Sequence, residues 1–131
     1  EEYYVIYRIY YITNVLGGML MILKFDDIGK ALVVKMSGEL DHHSSEIVRI
    51  KIDNKIEELG AKNLIFDFAE VNFMDSSGIG VVIGRYKKII QYGGKVVVIG
   101  LSPKIKKVFE IAGLFKIIDE YDDLSKAVSS I

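Results

Sequence analysis

Cysteine is absent from this sequence, and proline occurs only once. Without cysteine the chain has no disulfide framework, zinc–thiolate site, iron–sulfur cluster or cysteine nucleophile, and its composition fits a reducing compartment such as the cytoplasm. The single proline and the 50% hydrophobic fraction argue against disorder. We therefore expect a folded cytoplasmic protein.

An excess of charge of one sign is also missing. Lys and Arg total 17 against 18 for Asp and Glu, so the formal net charge is −1. A chain this balanced has no long-range field that gathers nucleic acid or an anionic membrane, and we expect neither as a partner. The 131 residues suffice for one compact domain and not for two full ones.

The N-terminal segment is rich in tyrosine and apolar side chains. Five of the eight tyrosines lie in the first eleven residues, and the run from Tyr3 to Leu23 is largely apolar. The acidic start at Glu1 and Glu2 does not fit a signal peptide, and Arg8 inside the run does not fit a spanning helix. We expect a locally packed extension rather than membrane insertion.

The position of the first methionines suggests where the domain begins. Met19 and Met21 follow Gly17-Gly18, a dipeptide that a purine-rich ribosome-binding sequence read in frame would encode. We hypothesise that the native start is Met19 or Met21 and that residues 1–18 are upstream sequence or an appended arm. On this division residues 1–18 are an extension and residues 19–131 form the domain, so a chain that begins at Met21 is expected to fold.

From residue 21 onward, strand-like and helix-like segments alternate without a linker or an internal repeat. The pattern predicts strands at 20–25, 31–36, 63–68, 95–100 and 115–118, and helices at 45–59, 76–92, 104–112 and 124–131. The first two strands read as an antiparallel hairpin, and the later strands are separated by helices. The alternation predicts an α/β fold, with a mixed, mostly parallel sheet and helices packed on it.

The turn Asp75-Ser76-Ser77 follows a predicted buried strand and opens a helix. Turns at the carboxyl ends of such strands are where α/β proteins place their sites. Any of the three side chains can cap the helix, whose N-terminus carries unpaired N–H groups and a partial positive charge. A serine there can become a phosphoserine whose charge the helix end tolerates. An ordinary N-cap has the same composition, and from the local sequence alone it is the favoured interpretation.

Three glycines, Gly78, Gly80 and Gly84, lie inside the same predicted helix. Each is less favourable there than alanine by about 1 kcal/mol, so a close approach is expected, either of the helix to its own sheet or of a partner's backbone to the helix. Their spacing does not follow a strand as a dinucleotide-binding fingerprint does, and there is no P-loop. The sequence therefore does not predict a nucleotide site at these glycines, and measurable nucleotide affinity of the isolated chain would be needed to support one.

The only two histidines, His42 and His43, lie in the loop that follows Asp41. Adjacent side chains diverge in an extended segment, so a metal chelate would need a third ligand, and the expected role of the pair is in a polar loop that caps the first helix. Asp41 also follows a strand, which can bring it beside the Asp75-Ser76 turn.

A hydrolase is a further alternative for the serines. No histidine follows them in the chain, which disfavours a hydrolase built on Ser76 or Ser77. We expect no catalytic residue, metal or cofactor.

Several motifs agree in order and spacing with one known family. They are Gly38-Glu39-Leu40-Asp41-His42-His43, Phe73-Met74-Asp75-Ser76-Ser77-Gly78-Ile79-Gly80-Val81, Gly84-Arg85-Tyr86-Lys87, Ser102-Pro103 and Gly113-Leu114-Phe115-Lys116-Ile117-Ile118. From about Met21 to Asp119 the chain resembles the STAS domain, and within it the anti-sigma-factor antagonists of the sporulation type found in spore-forming bacteria. The resemblance implies a sheet of four or five strands with about four helices.

The resemblance also implies a function. In this family the first serine after the aspartate, Ser76 here, is the regulatory phosphorylation site. The implied partner is a GHKL-type serine kinase that doubles as an anti-sigma factor, and a PP2C-type phosphatase reverses the mark. The surface expected to bind the partner comprises Asp41, His42, Asp75, Ser77, Gly78, Ile79 and Gly80. The alternative is a STAS signalling module in a stressosome-like or other partner-switching assembly.

Overall fold

The computed structural model describes residues 2–6, 8–29 and 31–131, and of residues 2–6 the backbone alone. The strands are β1 (Glu2–Ile6), β2 (Ile9–Thr13), β3 (Met19–Asp27), β4 (Ala31–Leu40), β5 (Asn63–Met74), β6 (Val96–Ile99) and β7 (Asp119–Tyr121). The helices are α1 (Ser45–Leu59), α2 (Ser76–Gln91), α3 (Pro103–Ile111) and α4 (Leu124–Ser129), with a 3₁₀ turn at Leu114–Lys116.

The strands form one sheet in which their spatial order is their chain order. Neighbours from β1 to β4 pair antiparallel, and neighbours from β4 to β7 pair parallel. Residues 19–131 contribute β3 to β7, and three of the four pairings among these strands are parallel. The predicted α/β fold, with a mixed, mostly parallel sheet of four or five strands and four helices, is confirmed for this part of the chain.

The helices cover the two faces of the sheet unequally. The main core packs α1, α2 and α3 against one face, and its largest fully buried side chains include Phe25, Phe66, Phe68 and Phe109. On the other face Ala127 of α4 packs against a smaller cluster made of Ala31, Val33, Ile65, Val97 and Ile99. Because α1, α2 and α3 each connect parallel strands, their N-termini all lie at the carboxyl edge of the sheet.

Residues 1–18, the hypothesised extension, contain β1 and β2, which add two antiparallel strands beside β3. Ile12 of β2 is fully buried in the main core, and the Tyr10 ring meets the Phe25 ring edge-on with centroids 5.5 Å apart. No helix within the described residues is long and apolar enough to cross a membrane. Whether the native chain starts at Met19 or Met21 stays a prediction.

Two predicted strands differ from the structure. The edge strand expected at 115–118 is wrong: these residues follow a left-handed Gly113 into the 3₁₀ turn, which buries Leu114 and Ile118, and the edge strand is β7. The strand expected at 63–68 continues to Met74, because its second half pairs with the end of β4. The helix boundaries agree with the prediction to within two residues.

Candidate functional site

Two loops lie side by side at the carboxyl edge of the sheet. The adjacent parallel strands β4 and β5 end in register, with Leu40 opposite Met74. The loop after β4 begins at Asp41, and the turn after β5 begins at Asp75. The Asp75 N–H donates a hydrogen bond of 3.4 Å to the Leu40 carbonyl, which ties the turn to the end of β4. The expected proximity of these two segments is therefore present.

Asp75 is the residue that caps α2. Its Oδ1 accepts hydrogen bonds from the N–H groups of Ser77 at 2.8 Å and Gly78 at 3.3 Å. This arrangement satisfies two donors that the helix leaves unpaired, and it places a carboxylate where the helix dipole favours one. The capping role that the sequence left open among three residues thus falls to Asp75.

Ser76 is the first residue of α2, and its hydroxyl is available. Its side chain is exposed, and in the part of the chain that the structure describes its Oγ makes no hydrogen bond. Ser77, by contrast, is half-buried. Two serines that the local sequence could not separate therefore differ in accessibility to an enzyme.

The glycines of α2 serve different purposes. A Cβ placed on the buried Gly78 would lie 2.5 Å from the Leu40 carbonyl oxygen and would also meet the Met74 side chain. Gly78 is therefore the point where α2 presses against its own sheet. A Cβ on Gly80 or Gly84 meets nothing within 4 Å. Gly80 is exposed, so the first turns of α2 present bare backbone beside Ser76.

The half-buried Asp41 organises the loop that leads into α1. Its Oδ1 accepts hydrogen bonds from the N–H groups of His43 at 2.9 Å and Ser44 at 3.2 Å. Ser44 occupies the N-cap position, but its hydroxyl donates to the Glu39 carbonyl at 2.7 Å instead of capping the helix. The serine at the N-cap position of α1 therefore does not cap the helix, because its hydroxyl anchors the loop to β4.

His42 and His43 are both exposed, and their rings lie close together. The ring centroids are 3.8 Å apart with the planes tilted by 40°. The expectation that these side chains diverge is wrong, because this stretch is a turn rather than an extended segment. Among the residues with described positions, no group of three or more His, Asp or Glu side chains is arranged to hold a metal ion.

The residues predicted to bind a partner lie on two adjacent segments and differ in exposure. His42, Ser76 and Gly80 are exposed, whereas Asp41, Asp75, Ser77 and Ile79 are half-buried and Gly78 is buried. Ile79 packs partly against the main core. These residues therefore expose a hydroxyl, an imidazole and bare backbone, and the carboxylates of Asp41 and Asp75 are less exposed.

The sequence reasoning missed one exposed aromatic side chain at this edge. Phe73 is 38% exposed, and the Lys104 ammonium lies 5.4 Å from the centroid of its ring. The pairing of β4 with β5 has two register shifts, which interrupt the regular alternation of inward and outward side chains along β5. As a result Val71 and Met74 face the core, and Phe73 faces outward. The sequence does contain a signal for this position. Phe73 and Met74 are adjacent on one strand, and adjacent side chains point to opposite faces of a sheet, so only one of the two can face the main core.

Comparison with known proteins adds independent findings. A family model described as the STAS domain matches residues 21–127. The chain is 40% identical over 100 residues to the anti-sigma F factor antagonist of Paenibacillus polymyxa, a match that spans 76% of this chain and 86% of that protein.

Two solved structures of one protein, SpoIIAA, share this fold. The anti-sigma factor antagonist SpoIIAA in its unphosphorylated form superposes with a TM-score of 0.72 at 30% identity, covering 82% of this chain and 94% of SpoIIAA. The Bacillus cell fate determinant SpoIIAA in its phosphorylated form gives a TM-score of 0.66 at 30% identity, covering 82% and 97%. Both forms of that protein therefore resemble the fold described above.

Proposed function

Because this chain belongs to the STAS domain family, we propose that it is an anti-sigma-factor antagonist that phosphorylation of Ser76 switches off. In its unphosphorylated form it binds an anti-sigma factor and so releases a sigma factor. The observation that carries the proposal is the position of Ser76, whose exposed and unbonded hydroxyl stands at the start of α2 beside the Asp41 loop. The similarity to antagonists of anti-sigma factors supports it.

The proposed partner is a GHKL-type serine kinase that is itself the anti-sigma factor. Such an enzyme has to bring its ATP phosphate to a free hydroxyl, and Ser76 meets this need because the cap of α2 is supplied by Asp75. A PP2C-type phosphatase would restore the binding form. Because release of a sigma factor acts on transcription, the proposed function belongs in the cytoplasm.

The proposed switch is electrostatic. A phosphate on Ser76 adds about −1.5 to −2 charges next to the Asp75 carboxylate and near the Asp41 loop. A partner that fits the neutral hydroxyl then meets repulsion and a group that is costly to desolvate. A loss of about 1.4 kcal/mol in binding free energy is already tenfold in affinity, so no refolding is required.

The α2 N-terminus limits the effect of the phosphate on the chain itself. The helix dipole favours negative charge there, which offsets part of the repulsion from Asp75. We therefore expect Ser76→Asp to bind the anti-sigma factor poorly while its melting temperature stays near that of the wild type. A collapse of its melting transition would assign Ser76 a structural role instead.

Mass spectrometry tests which serine is the phosphorylation site. The wild-type chain, Ser76→Ala and the matched control Ser77→Ala are incubated with ATP and the candidate anti-sigma kinase of the same organism, and intact and peptide masses are measured. We expect one phosphate on wild type and Ser77→Ala and none on Ser76→Ala, which should stay bound to the kinase in the presence of ATP. A phosphate on Ser77 would make Ser77 the phosphorylation site in place of Ser76. If no phosphate and no complex form, the proposed function is contradicted.

A further inference from the structure

The outward-facing Phe73 and the adjacent Lys104 form a pair with no role in the fold core. The ring is 38% exposed, and the ammonium is held 5.4 Å from its centroid in a cation–π contact. We infer that the Phe73–Lys104 pair is an anchor point for the anti-sigma factor, where the ring meets an apolar side chain and the ammonium meets a carboxylate of that partner. This inference rests on the proposed function and adds two residues to its surface.

The charge on Lys104 is poorly placed for the chain alone. Lys104 follows Pro103 in the first turn of α3, where the helix dipole favours a carboxylate and disfavours an ammonium group. Within the described residues no carboxylate lies within 4.0 Å of it, whereas Lys106 on the same helix pairs with Glu120 at 3.2 Å. A cation that is unpaired within the chain and fixed over a ring is suited to a carboxylate from outside.

The pair is continuous with the candidate site. Phe73 precedes Asp75 by two residues on the same strand end, and it lies opposite Glu39 of β4. The Glu39 carbonyl is the group to which Ser44 anchors the Asp41 loop. A partner that covers Ser76 and the Asp41 loop therefore borders on Phe73, and buried aromatic side chains are where interfaces concentrate their binding energy.

The test is the dissociation constant of the unphosphorylated chain for the anti-sigma factor of its own organism, measured by calorimetry at low and high salt. We expect Lys104→Glu and Phe73→Ala each to raise this constant about tenfold or more, a loss of about 1.4 kcal/mol. Lys104→Met keeps the aliphatic stem over the ring and removes the charge, so it should weaken binding and reduce its salt dependence. Because Lys104→Met leaves β5 untouched, it tests the inference even if Phe73→Ala folds poorly.

Lys62→Glu is the matched control, since it makes the same charge change on an exposed lysine at the opposite edge of the sheet. Its dissociation constant should stay within about twofold of the wild-type value. The inference is overturned if Lys104→Glu and Lys104→Met bind like wild type, or if Lys62→Glu weakens binding as much as Lys104→Glu. A wild-type chain that does not bind the anti-sigma factor overturns the proposed function as well, so the two failures are distinguishable.

Discussion

Arg85 of α2 places its Nε 2.8 Å from Oδ1 of Asp53 on α1. The two groups form a close ion pair between a cation and a carboxylate. The Arg85 side chain is only 8% exposed, and burial lowers its pKa, against which the Asp53 charge acts. The pair joins the two helices that begin at the two loops of the candidate site.

Removing Asp53 from this pair should destabilise the chain more than removing Arg85. Asp53→Asn leaves a buried guanidinium without its counter-charge, and we expect a loss of about 3 kcal/mol in the free energy of unfolding. Arg85→Met should lose less, because the Asp53 carboxylate is 25% exposed to water and keeps Arg49 at 4.0 Å. Urea unfolding of both variants measures the difference, and a larger loss for Arg85→Met would contradict this assignment.

Alanine substitutions separate the glycines of α2. Gly78→Ala drives a Cβ into the Leu40 carbonyl and should lower the free energy of unfolding by about 1–3 kcal/mol. Gly80→Ala enters open space and should raise it by up to about 1 kcal/mol, yet weaken binding of the anti-sigma factor if the partner approaches the bare backbone. Gly84→Ala is the control, since it should stabilise the helix and leave binding unchanged. If all three variants bind the anti-sigma factor equally well, Gly80 is not part of the binding surface.

The cap residue allows charge and hydrogen bonding to be tested apart. Asp75→Ala removes the acceptor for two N–H groups and should lower the free energy of unfolding by about 1 kcal/mol, whereas Asp75→Asn keeps an oxygen in place and should lose little. With Asn at this position the phosphate on Ser76 faces less repulsion, so phosphorylation should reduce affinity less than in wild type. Chemical unfolding and calorimetry check both expectations. An unchanged phosphorylation effect in Asp75→Asn would show that repulsion from this carboxylate is not part of the switch.

A chain that begins at Met21 tests the role of the extension. We expect it to fold and to bind the anti-sigma factor, because β3 to β7 and all four helices remain. Its melting temperature should fall, since the buried Ile12 and the contact of Tyr10 with Phe25 are lost. Circular dichroism and calorimetry measure both properties, with the full chain as control. A truncated chain that cannot fold would contradict the hypothesis that residues 1–18 are an appended arm.

The sequence predicted most elements because their local signals agree with their tertiary environment. Helix α1 ends at the left-handed Gly60, and α3 begins with a Ser102 cap and a first-turn proline, which are common local signals for the end and the start of a helix. The miss at 115–118 arose because a run containing Phe115 and Ile118 has the apolar composition of a strand, while the backbone conformation of Gly113 decides the turn. Periodicity does not encode such a conformation.

The candidate site was predicted in its composition and only partly in its geometry. Asp41 and Asp75 were expected to lie together, and the register of β4 with β5 brings their loops side by side. Which residue caps α2 and which glycine packs depend on contacts with Leu40 across strands, and local sequence does not contain such contacts. The outward position of Phe73 depends on register shifts that interrupt the alternation of β5.

The most direct test of the account compares two forms of the same chain. The dissociation constant for the anti-sigma factor is measured for the unphosphorylated chain and for the chain fully phosphorylated on Ser76, together with the melting temperature of each. The account predicts that phosphorylation weakens binding about tenfold or more and leaves the melting temperature nearly unchanged. Equal affinity of the two forms would contradict the central claim.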